Sequence, residues 1–584
     1  MYPQNSHILL GLLVRVWPAD KVLLGMRVCK LLRQELPSNA KQVLLVASYA
    51  DDGYAPTYIS SRLAAFVSCE SSLVCRGFPR SFATLRRALR SAVEDGFGAK
   101  LVYLDLAGNH FFPEFALEAI GYLLEHSPDL HHLDLSMNPL RDFGAGVLSA
   151  AMRNCPALTH VDLSQTCLGA EGIMQLAGGL GRCTELKRLS LSSNAIDGVD
   201  AWQNLADALR GCTKLEQLDL HSNPIRAEGA RLLAEVLTSR FSALAKLDLS
   251  SCELGAAGIA SLQEVLSLSS LLSLKLHAND MTGTGANAFV GTCTALTFLD
   301  ISCNLLEMGQ FTPWLTVCLR QCKQLAHLDL SGNWIAARGG EVLAKAILAY
   351  PTTLRQLRVS ANGMGLASSP AVVKSLSARC PRITVLEIGS NMVGDIGIRG
   401  METALRSLKE LASLDLSDNE IGAAGMAYLA KCSLEALTSL NLSQNSIGDD
   451  GAERLGELLA CCRGIRVLNL TRCTLRLQGA VALAPALGTC RQLKRLELSM
   501  NRVGSKGAGA IGAAVAACPM LRAVDMSQNF LQDEGILNLA ELLAAQGRPT
   551  SGALERLDVS HNDAGAEANR RIVQALPRCM VVVG

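Results

Sequence analysis

The stretch from Asn445 to Leu470 reads Asn-Ser-Ile-Gly-Asp-Asp-Gly, Ala-Glu-Arg-Leu-Gly-Glu-Leu-Leu-Ala, Cys-Cys-Arg-Gly and Ile-Arg-Val-Leu-Asn-Leu. Its apolar residues first recur at helical spacing and then alternate, which predicts a helix followed by a short half-buried strand. The opening Asn comes at the end of the preceding strand, and glycine-containing turns lead from it into the helix. We count seventeen such units between Leu101 and Asn562. The chain is therefore predicted to be a repeat array rather than several separate domains.

The strand end of each unit follows the pattern Leu-x-x-Leu-x-Leu-x-x-Asn, and sixteen intervals between the Asn-equivalent positions span 453 residues. This pattern and its period of about 28 residues resemble the leucine-rich repeats of the ribonuclease-inhibitor-like class. The resemblance implies an α/β fold: a right-handed βα solenoid of horseshoe shape, with a parallel sheet on its concave side and helices on its convex side. The Asn-equivalent positions are Asn109, Asn138, Thr166, Asn194, Asn223, Cys252, Asn279, Asn304, Asn333, Asn362, Asn391, Asn419, Asn445, Cys473, Asn501, Asn529 and Asn562.

Element widths independently predict a curved array. Parallel strands stack about 4.8 Å apart, whereas neighbouring helices need about 10 Å, so the strands are expected on the inside of an arc. The buried Asn is expected to satisfy backbone groups in its own turn and the next one. Thr166, Cys252 and Cys473 can do part of this, so their repeats are expected to be slightly weaker. Tight turns before the helices are expected at glycines such as Gly229, Gly258, Gly425 and Gly451.

The composition narrows the function classes. The 584 residues are 49% apolar but only 4% aromatic, so the core is expected to be aliphatic. A formal net charge of +1 argues against a dedicated nucleic-acid binder. No run is long and apolar enough for a membrane span, and residues 8–17 lack the basic leader and cleavage site of a signal peptide. We expect a monomer in the cytoplasm or the nucleus.

Eleven of the twenty cysteines occupy equivalent slots of the repeat. Such slots recur one repeat apart and do not pair as a disulfide framework would, so a reducing compartment is expected. No cysteine pair or His/Cys cluster has zinc-ligand spacing, and no metal or cofactor is expected. Nine lie three residues before a strand (Cys155, Cys183, Cys212, Cys293, Cys322, Cys380, Cys462, Cys490 and Cys518), and Cys252 and Cys473 replace the Asn.

Residues 1–40 do not fit the repeat and are predicted to form a small helical module. The stretch from Pro18 to Arg33 resembles the second half of an F-box, although the opening Leu-Pro pair is missing and Leu32 stands where Trp is usual. This resemblance implies that the module binds the adaptor subunit of a ubiquitin ligase. The alternative is a cap that shields the open end of the array. The implied adaptor contacts are Leu23, Leu24, Val28, Cys29 and Leu32.

Two further ranges complete the domain interpretation. Residues 41–100 are interpreted as transitional, degenerate repeats, with a strand over residues 42–48 and a helix over residues 81–93. Residues 101–584 are interpreted as the array, closed by an apolar last strand that acts as a cap.

Outward-facing strand positions are the candidates for chemistry, and ten of them carry an Asp between the second and third Leu. A row of carboxylates at strand spacing suggests paired acid/base catalysis or a row of metal ligands. We reject both, because Leu-Asp-Leu-Ser is the generic phrase of this repeat class. Adjacent like charges here cost under about 1 kcal/mol each in water, so no special partner is needed. No enzyme activity is expected.

The position before the second Leu varies from repeat to repeat, which is how an array encodes a specific surface. Tyr103, Phe298 and Trp334 are predicted anchors, because buried aromatic side chains dominate interface energetics. The alternative is that they only pack locally. The stretch from Glu307 to Trp314 is expected to be irregular and to expose an aromatic side chain. The predicted contacts to a protein partner are Tyr103, His132, His160, Arg188, Lys246, Phe298, His327 and Trp334.

The sequence therefore predicts a non-catalytic scaffold that binds a protein on its concave face. No Gly-x-x-x-x-Gly-Lys-Ser/Thr loop, Gly-x-Ser-x-Gly elbow or kinase motif is present. Two alternatives stay open. In the first, the F-box-like module makes the protein a substrate receptor of a cullin-RING ubiquitin ligase. In the second, the protein is an inhibitor or a regulator of a small GTPase.

Overall fold

The computed structural model describes residues 43–46, 72–76, 93, 101–109, 114–240, 243–282, 285, 294–306, 308–350, 353–544 and 554–583. The chain divides into two compact units, unit 1 over Met1–Asp280 and unit 2 over Met281–Gly584. The predicted helical module over residues 1–40 lies outside the described residues, as does most of the helix predicted over residues 81–93.

Unit 1 alternates short strands with helices. Its strands are β1 (Val43–Val46), β2 (Ser72–Arg76), β3 (Tyr103–Asp105), β4 (His132–Asp134), β5 (His160–Asp162), β6 (Arg188–Ser190), β7 (Gln217–Asp219), β8 (Lys246–Asp248) and β9 (Ser273–Lys275). Its helices are α1 (Glu114–Glu125), α2 (Arg141–Met152), α3 (Ala170–Leu180), α4 (Val199–Leu209), α5 (Arg226–Arg240), α6 (Gly255–Ser261) and α7 (Gln263–Leu266).

Unit 2 continues the alternation. Its strands are β10 (Phe298–Asp300), β11 (His327–Asp329), β12 (Gln356–Arg358), β13 (Val385–Glu387), β14 (Ser413–Asp415), β15 (Ser439–Asn441), β16 (Val467–Asn469), β17 (Arg495–Glu497), β18 (Ala523–Asp525), β19 (Arg556–Asp558) and β20 (Met580–Val582). Its helices are α8 (Met308–Gln321), α9 (Ala336–Ala349), α10 (Gly365–Arg379), α11 (Gly394–Ser407), α12 (Ala423–Ala430), α13 (Gly448–Cys461), α14 (Leu477–Thr489), α15 (Gly504–Ala516), α16 (Gln532–Ala544) and α17 (Ala566–Ala575).

Every strand pairs with the next one in parallel within each unit, β1 to β9 in unit 1 and β10 to β20 in unit 2. The register is one residue to one residue, so Leu104 lies opposite Leu133 and Leu133 opposite Val161. A three-residue strand cannot be stable alone, and pairing on both sides supplies its ladder hydrogen bonds. The predicted parallel strand–helix array is confirmed.

The core is aliphatic, as expected from the low aromatic content. The middle residues of the strands, such as Leu133, Leu328 and Leu468, are at most 1% exposed. One local prediction is wrong for Trp314: this residue belongs to helix α8 and is fully buried instead of exposed.

The buried Asn side chains connect each repeat to the one before it. Asn333 donates through Nδ2 to the carbonyls of Leu330 (2.9 Å) and Ile301 (3.0 Å), and its Oδ1 accepts from the backbone N–H of Asn304 at 2.9 Å. Leu330 belongs to its own repeat, whereas Ile301 and Asn304 belong to the preceding one. The expected link to the next repeat is therefore wrong in direction. The amide satisfies its own turn and the previous turn.

Substitutes at the Asn position keep part of this pattern. The Sγ atoms of Cys252 and Cys473 donate back to the carbonyls of Leu220 (3.4 Å) and Leu442 (3.2 Å) in the preceding repeat. The Thr166 hydroxyl has no bond to the preceding repeat: its Oγ1 lies 2.6 Å from the Leu163 carbonyl of its own repeat and 3.1 Å from Oδ1 of Asn194 in the next repeat. A thiol is a weak donor and a weak acceptor compared with an amide, which supports the expectation that these repeats are weaker.

The glycines expected in tight turns before the helices, such as Gly229 and Gly425, lie inside the first turns of the helices. Gly425 lies inside the first turn of α12, and its N–H and that of Gly422 both donate to Oδ1 of Asp395 in the preceding helix (2.8 and 2.7 Å). A Cβ at Gly425 would lie only 2.5 Å from that oxygen. Asp449 caps α14 in the same way through Arg476 and Gly479. A carboxylate of one repeat therefore caps the helix of the next repeat.

Left-handed backbone occurs at positions that the sequence pattern does not predict. The residue before each of the seventeen Asn-equivalent positions has a positive φ, for example Met137 at 57° and Gln444 at 58°, and only two of the seventeen are glycine. Each such non-glycine residue costs on the order of 1 kcal/mol. The tight turn between strand and Asn is therefore imposed by the repeat and its hydrogen bonds, against local preference.

Several of the cysteines before the strands are buried donors. Cys155 and Cys518 donate to the Leu124 and Leu487 carbonyls of the preceding helices, at 3.1 and 3.2 Å. Burial raises the pKa of Cys155 to about 12, so this thiol stays protonated and unreactive. Among the described residues, no helix has both the length and the apolar character needed to cross a lipid bilayer.

Candidate protein-binding face

Each three-residue strand from β4 to β19 directs two side chains away from the core, one on either side of its buried middle residue. In β4, His132 and Asp134 are partly exposed, whereas Leu133 between them is buried. Because neighbouring strands are parallel and in register, equivalent side chains form rows across the strands. The surface made of these two rows and of the next outward residue, usually Ser, is here called the open sheet face.

Three predicted contact residues of unit 1 form a continuous stack on this face. Tyr103, His132 and His160 lie opposite one another on β3, β4 and β5. The Tyr103 and His132 rings are parallel within 5° at a centroid distance of 4.2 Å, and the His160 ring follows His132 at 5.6 Å with a tilt of 37°. All three side chains are partly exposed. The rings therefore pack on one another and remain partly exposed, and their contact with a partner stays a prediction.

Both imidazoles of the stack have a lowered pKa. Burial lowers the pKa of His132, and the nearby Asp134 and Asp105 only partly offset this effect. Burial also lowers the pKa of His160, with Arg188 as a further cause. Both imidazoles are therefore more often neutral at pH 7 than a free histidine. Neutral rings stack without the cost of desolvating a charge.

The aspartates beside the stack have local partners. Asp134 accepts hydrogen bonds from the N–H (3.0 Å) and hydroxyl (2.6 Å) of Ser136, and Asp162 accepts the same pair from Ser164. These contacts close the turn after the strand. Burial raises the pKa of Asp134, and the two hydrogen bonds from Ser136 oppose the shift. This geometry agrees with the interpretation that the Leu-Asp-Leu-Ser phrase is part of the scaffold.

One cluster on this face has donor atoms close enough to hold a cation: Asp219, His221 and Asp248 lie within 4.8 Å of one another. Internal contacts already join these groups. His221 Nδ1 lies 2.8 Å from Asp219 Oδ1, and Lys275 Nζ lies 2.9 Å from Asp248 Oδ2. Because the lysine ammonium supplies the positive charge, the cluster needs no metal to be stable.

Arg188 and Lys246 extend the row beyond the stack. Both side chains are exposed, on β6 and β8, and Gln217 lies between them in the register. The varied row of unit 1 thus runs from aromatic to basic along the sheet.

Unit 2 begins with a second pair of rings. Phe298 and His327 are opposite one another on β10 and β11 and meet edge to face at 5.5 Å. Burial lowers the pKa of His327, and Arg358 adds to the effect. Arg358 itself is ion-paired with Glu387 at 2.8 Å.

The far end of unit 2 carries ion pairs in place of rings. Arg495 Nε lies 2.5 Å from Glu497 Oε1, and Arg556 Nη2 lies 3.5 Å from Asp558 Oδ2, each pair within one strand. The two carboxylates are largely covered, whereas the guanidinium groups are about 60% exposed. In each pair, the arginine that compensates the carboxylate charge comes from the same strand and not from a neighbouring strand.

Trp334 does not lie on the strand face where the sequence interpretation placed it. It follows the buried Asn333, in the turn beyond β11, and its side chain is 75% exposed. Leu305 and Met392 occupy the same slot of nearby repeats and are 46% and 55% exposed. Sequence reasoning missed these two residues, although an apolar residue directly after the Asn is a readable signal.

The implied adaptor contacts Leu23, Leu24, Val28, Cys29 and Leu32 lie outside the described residues. The F-box-like interpretation of this segment and the alternative of a cap both stay predictions.

Comparisons with known proteins bear on the repeats. The family model described as Leucine Rich repeat matches eight stretches: residues 126–149, 154–177, 211–234, 321–344, 409–430, 436–456, 489–512 and 517–540. No curated protein matches the chain in sequence. Among the solved structures, one similar chain is an internalin (inlF) from Listeria monocytogenes str. 4b F2365. It is 18% identical, with 67% of this chain and 95% of that chain covered, and its TM-score is 0.37.

Each of the eight matched stretches covers or adjoins a strand, its buried Asn-equivalent residue and the helix that follows. The ribonuclease-inhibitor-like subclass and the count of seventeen repeats stay predictions. Eight stretches of this chain are therefore similar to the Leucine Rich repeat family, and the described residues form the parallel strand–helix array with a ladder of buried amides.

Proposed function

We propose that this protein is a non-catalytic scaffold that binds a protein partner across the open sheet face, with the main contacts at Tyr103, His132 and His160. The observation that carries the proposal is the ring stack on β3, β4 and β5. The buried middle residues already stabilise these strands, so the fold does not require aromatic rings on the outside. Partly exposed aromatic rings are the side chains that contribute most to protein interfaces.

Preorganisation supports the same proposal. Because each ring is held by its neighbour across the sheet, the side chains lose little conformational entropy when a partner binds to the stack. Arg188 at the end of the row and the pair of Phe298 and His327 in unit 2 offer further contacts on their own strands. Trp334 belongs to a different surface of unit 2.

Photo-crosslinking tests the proposal with the full chain. A benzoyl-phenylalanine replaces His160 in one variant and Glu457, an exposed residue of helix α13, in a matched control. Each variant is irradiated in extract from the source organism, and the adducts are identified by mass spectrometry. We expect one recurrent protein adduct from position 160 and none from position 457.

Affinity for the identified adduct partner then separates specific from incidental contact. Tyr103→Ala with His132→Ala should weaken binding by at least about thirty-fold, whereas Gln217→Ala, in the same row, should leave it within about two-fold. Equal adducts from both crosslinking positions, or full binding by the double variant, would contradict the proposed face.

A further inference from the structure

A second exposed surface of unit 2 lies at the turns that follow the strands. Its centre is the edge row, defined as the residues directly after the buried Asn in four successive repeats: Leu305, Trp334, Gly363 and Met392. Leu305, Trp334 and Met392 are 46%, 75% and 55% exposed. The other large apolar residue at this slot in unit 2 is Phe530, which stands apart from the row.

The edge row is continuous. Strands β10 to β13 are paired in register, so their turns stack in the same order. A Cβ at Gly363 would lie 3.5 Å from the Met392 methyl carbon, which places the methionine over the glycine. Leu366 and Ile396, in the first turns of α10 and α11, are 53% and 67% exposed and widen the apolar surface toward the helices. Contiguous apolar patches on a soluble protein mark interaction sites.

Part of the backbone in these turns is already hydrogen-bonded along the array. The N–H groups of Cys303, Gly332 and Ala361 donate to the carbonyls of Ser331, Ser360 and Gly389 in the next repeat, all at 2.8 Å. Strand addition requires unpaired backbone groups at an edge. A helix has its own backbone hydrogen bonds satisfied, so it needs none from these turns.

Spacing and charge fit such a helix. Successive turns of the edge row lie about 4.8 Å apart, close to the 5.4 Å pitch of a helix, so each helical turn can place one side chain on each repeat. In the repeat after Met392, the residues flanking the buried Asn419 are Asp418 and Glu420, both exposed. Ser390 holds Asp418 through a hydrogen bond of 2.8 Å. The apolar row therefore ends at two carboxylates.

We infer that the edge row of unit 2 binds an amphipathic helix of a partner protein, with apolar residues at i, i+4 and i+7 and a Lys or Arg about one turn further on. This surface is separate from the open sheet face, and the inference does not depend on the proposed function. The indole of Trp334 is the main anchor, and the two carboxylates set the direction of the helix.

The test uses the full chain and a phage-displayed library of 16-residue helical peptides, randomised at four positions on one face. We expect selection to enrich apolar residues at the first three positions and Lys or Arg at the fourth. Selected peptides should lose at least about thirty-fold in affinity against Trp334→Ala and about three-fold against Asp418→Asn with Glu420→Gln. Phe530→Ala, at a residue 55% exposed in the same slot but apart from the row, is the matched control and should change nothing.

Three results would overturn the inference. The first is enrichment that is no greater than on the Trp334→Ala chain. The second is a set of selected peptides without the helical spacing. The third is concentration-dependent dimerisation of the full chain, measured by light scattering and abolished by Trp334→Ala, which would assign the row to a second copy of this chain. Far-UV circular dichroism of each variant confirms that the repeats remain folded.

Discussion

The open sheet faces of β3–β5 and of β17–β19 use the same scaffold positions to make opposite surfaces. In β3–β5 the varied row carries Tyr103, His132 and His160, whose rings stack. In β17 and β19 the same row carries arginines that pair with the carboxylate two residues later. The backbone register is the same in both regions. The main difference lies in the outward side chain before the buried middle residue.

The two regions compensate the outward carboxylates of their strands in different ways. Where an arginine sits two residues away, the carboxylate is neutralised within its own strand. Where an imidazole sits there, burial keeps the ring mostly neutral and the aspartate relies on hydrogen bonds from Ser. We therefore expect the first region to respond to pH and to bind through rings, and the second to do neither.

The largest effect should come from the scaffold that both regions share. Asn194→Ala in unit 1 and Asn333→Ala in unit 2 each leave buried carbonyls of two repeats without their amide donor. We expect each change to cost about 2–4 kcal/mol of unfolding free energy. Urea denaturation followed by circular dichroism measures this, with Gln217→Ala as the surface control. A cost below about 1 kcal/mol in either unit would show that the two scaffolds are not equivalent.

A smaller effect is expected at the caps that pass from one helix to the next. Asp395 accepts two backbone hydrogen bonds from the following repeat, at 2.7 and 2.8 Å, whereas Asp142 of unit 1 accepts one from Gly169 at 3.1 Å. Asp395→Ala should cost about 1 kcal/mol, and Asp142→Ala less. Thermal unfolding of the two variants would rank them, and the reverse order would refute trans-repeat capping as the cause.

The pH response should differ between the two faces. Burial lowers the folded-state pKa of His132 below 6.5, so the unfolded state takes up more protons in the window beneath that value. Stability should therefore fall as the pH drops from 7.5 to 5.5, and His132→Gln should reduce that fall. Denaturation midpoints at the two pH values give the slope. Arg495→Gln is the control on the other face, and equal slopes for wild type and His132→Gln would refute the assignment.

The smallest effect should come from the ion pairs. Arg495→Ala and Arg556→Ala remove exposed guanidinium groups whose pairing with a carboxylate is largely solvated. Each should cost about 0.5 kcal/mol or less, and the cost should shrink further in 0.5 M salt. The readout is again the urea midpoint. A loss as large as that of Asp395→Ala would mean that these pairs stabilise the strands after all.

The repeat pattern made most of the fold predictable, because its signals are local and recur. The Leu and Asn positions identified strands, core and ladder from the sequence, and the structure bears them out at Leu133 and Asn333. The direction of the Asn link was wrong, because the residues alone do not show which neighbouring turn is closer. The glycine role was wrong for a related reason: the close contact of Gly425 is with Asp395, thirty residues earlier.

The candidate site was predictable only as a set of positions. Sequence reasoning identified Tyr103 and His132 as outward residues, but their parallel stacking depends on side-chain rotamers that no pattern encodes. It placed Trp334 on the strand face, although the turn after Asn333 carries it to the strand-end edge. The left-handed turn residues such as Met137 were not predictable, because residues with a side chain rarely adopt a positive φ.

The backward reach of the Asn side chains has a consequence for synthesis. The turn of each repeat receives its amide from the repeat that is made after it, as Asn304 does from Asn333. On the ribosome, a repeat that has emerged is therefore still incomplete until about thirty further residues have left the exit tunnel. Each repeat of the nascent chain therefore completes its hydrogen bonds only after the next repeat has emerged. During a translational pause, the turn of the last emerged repeat would lack the Asn side chain that pairs with it.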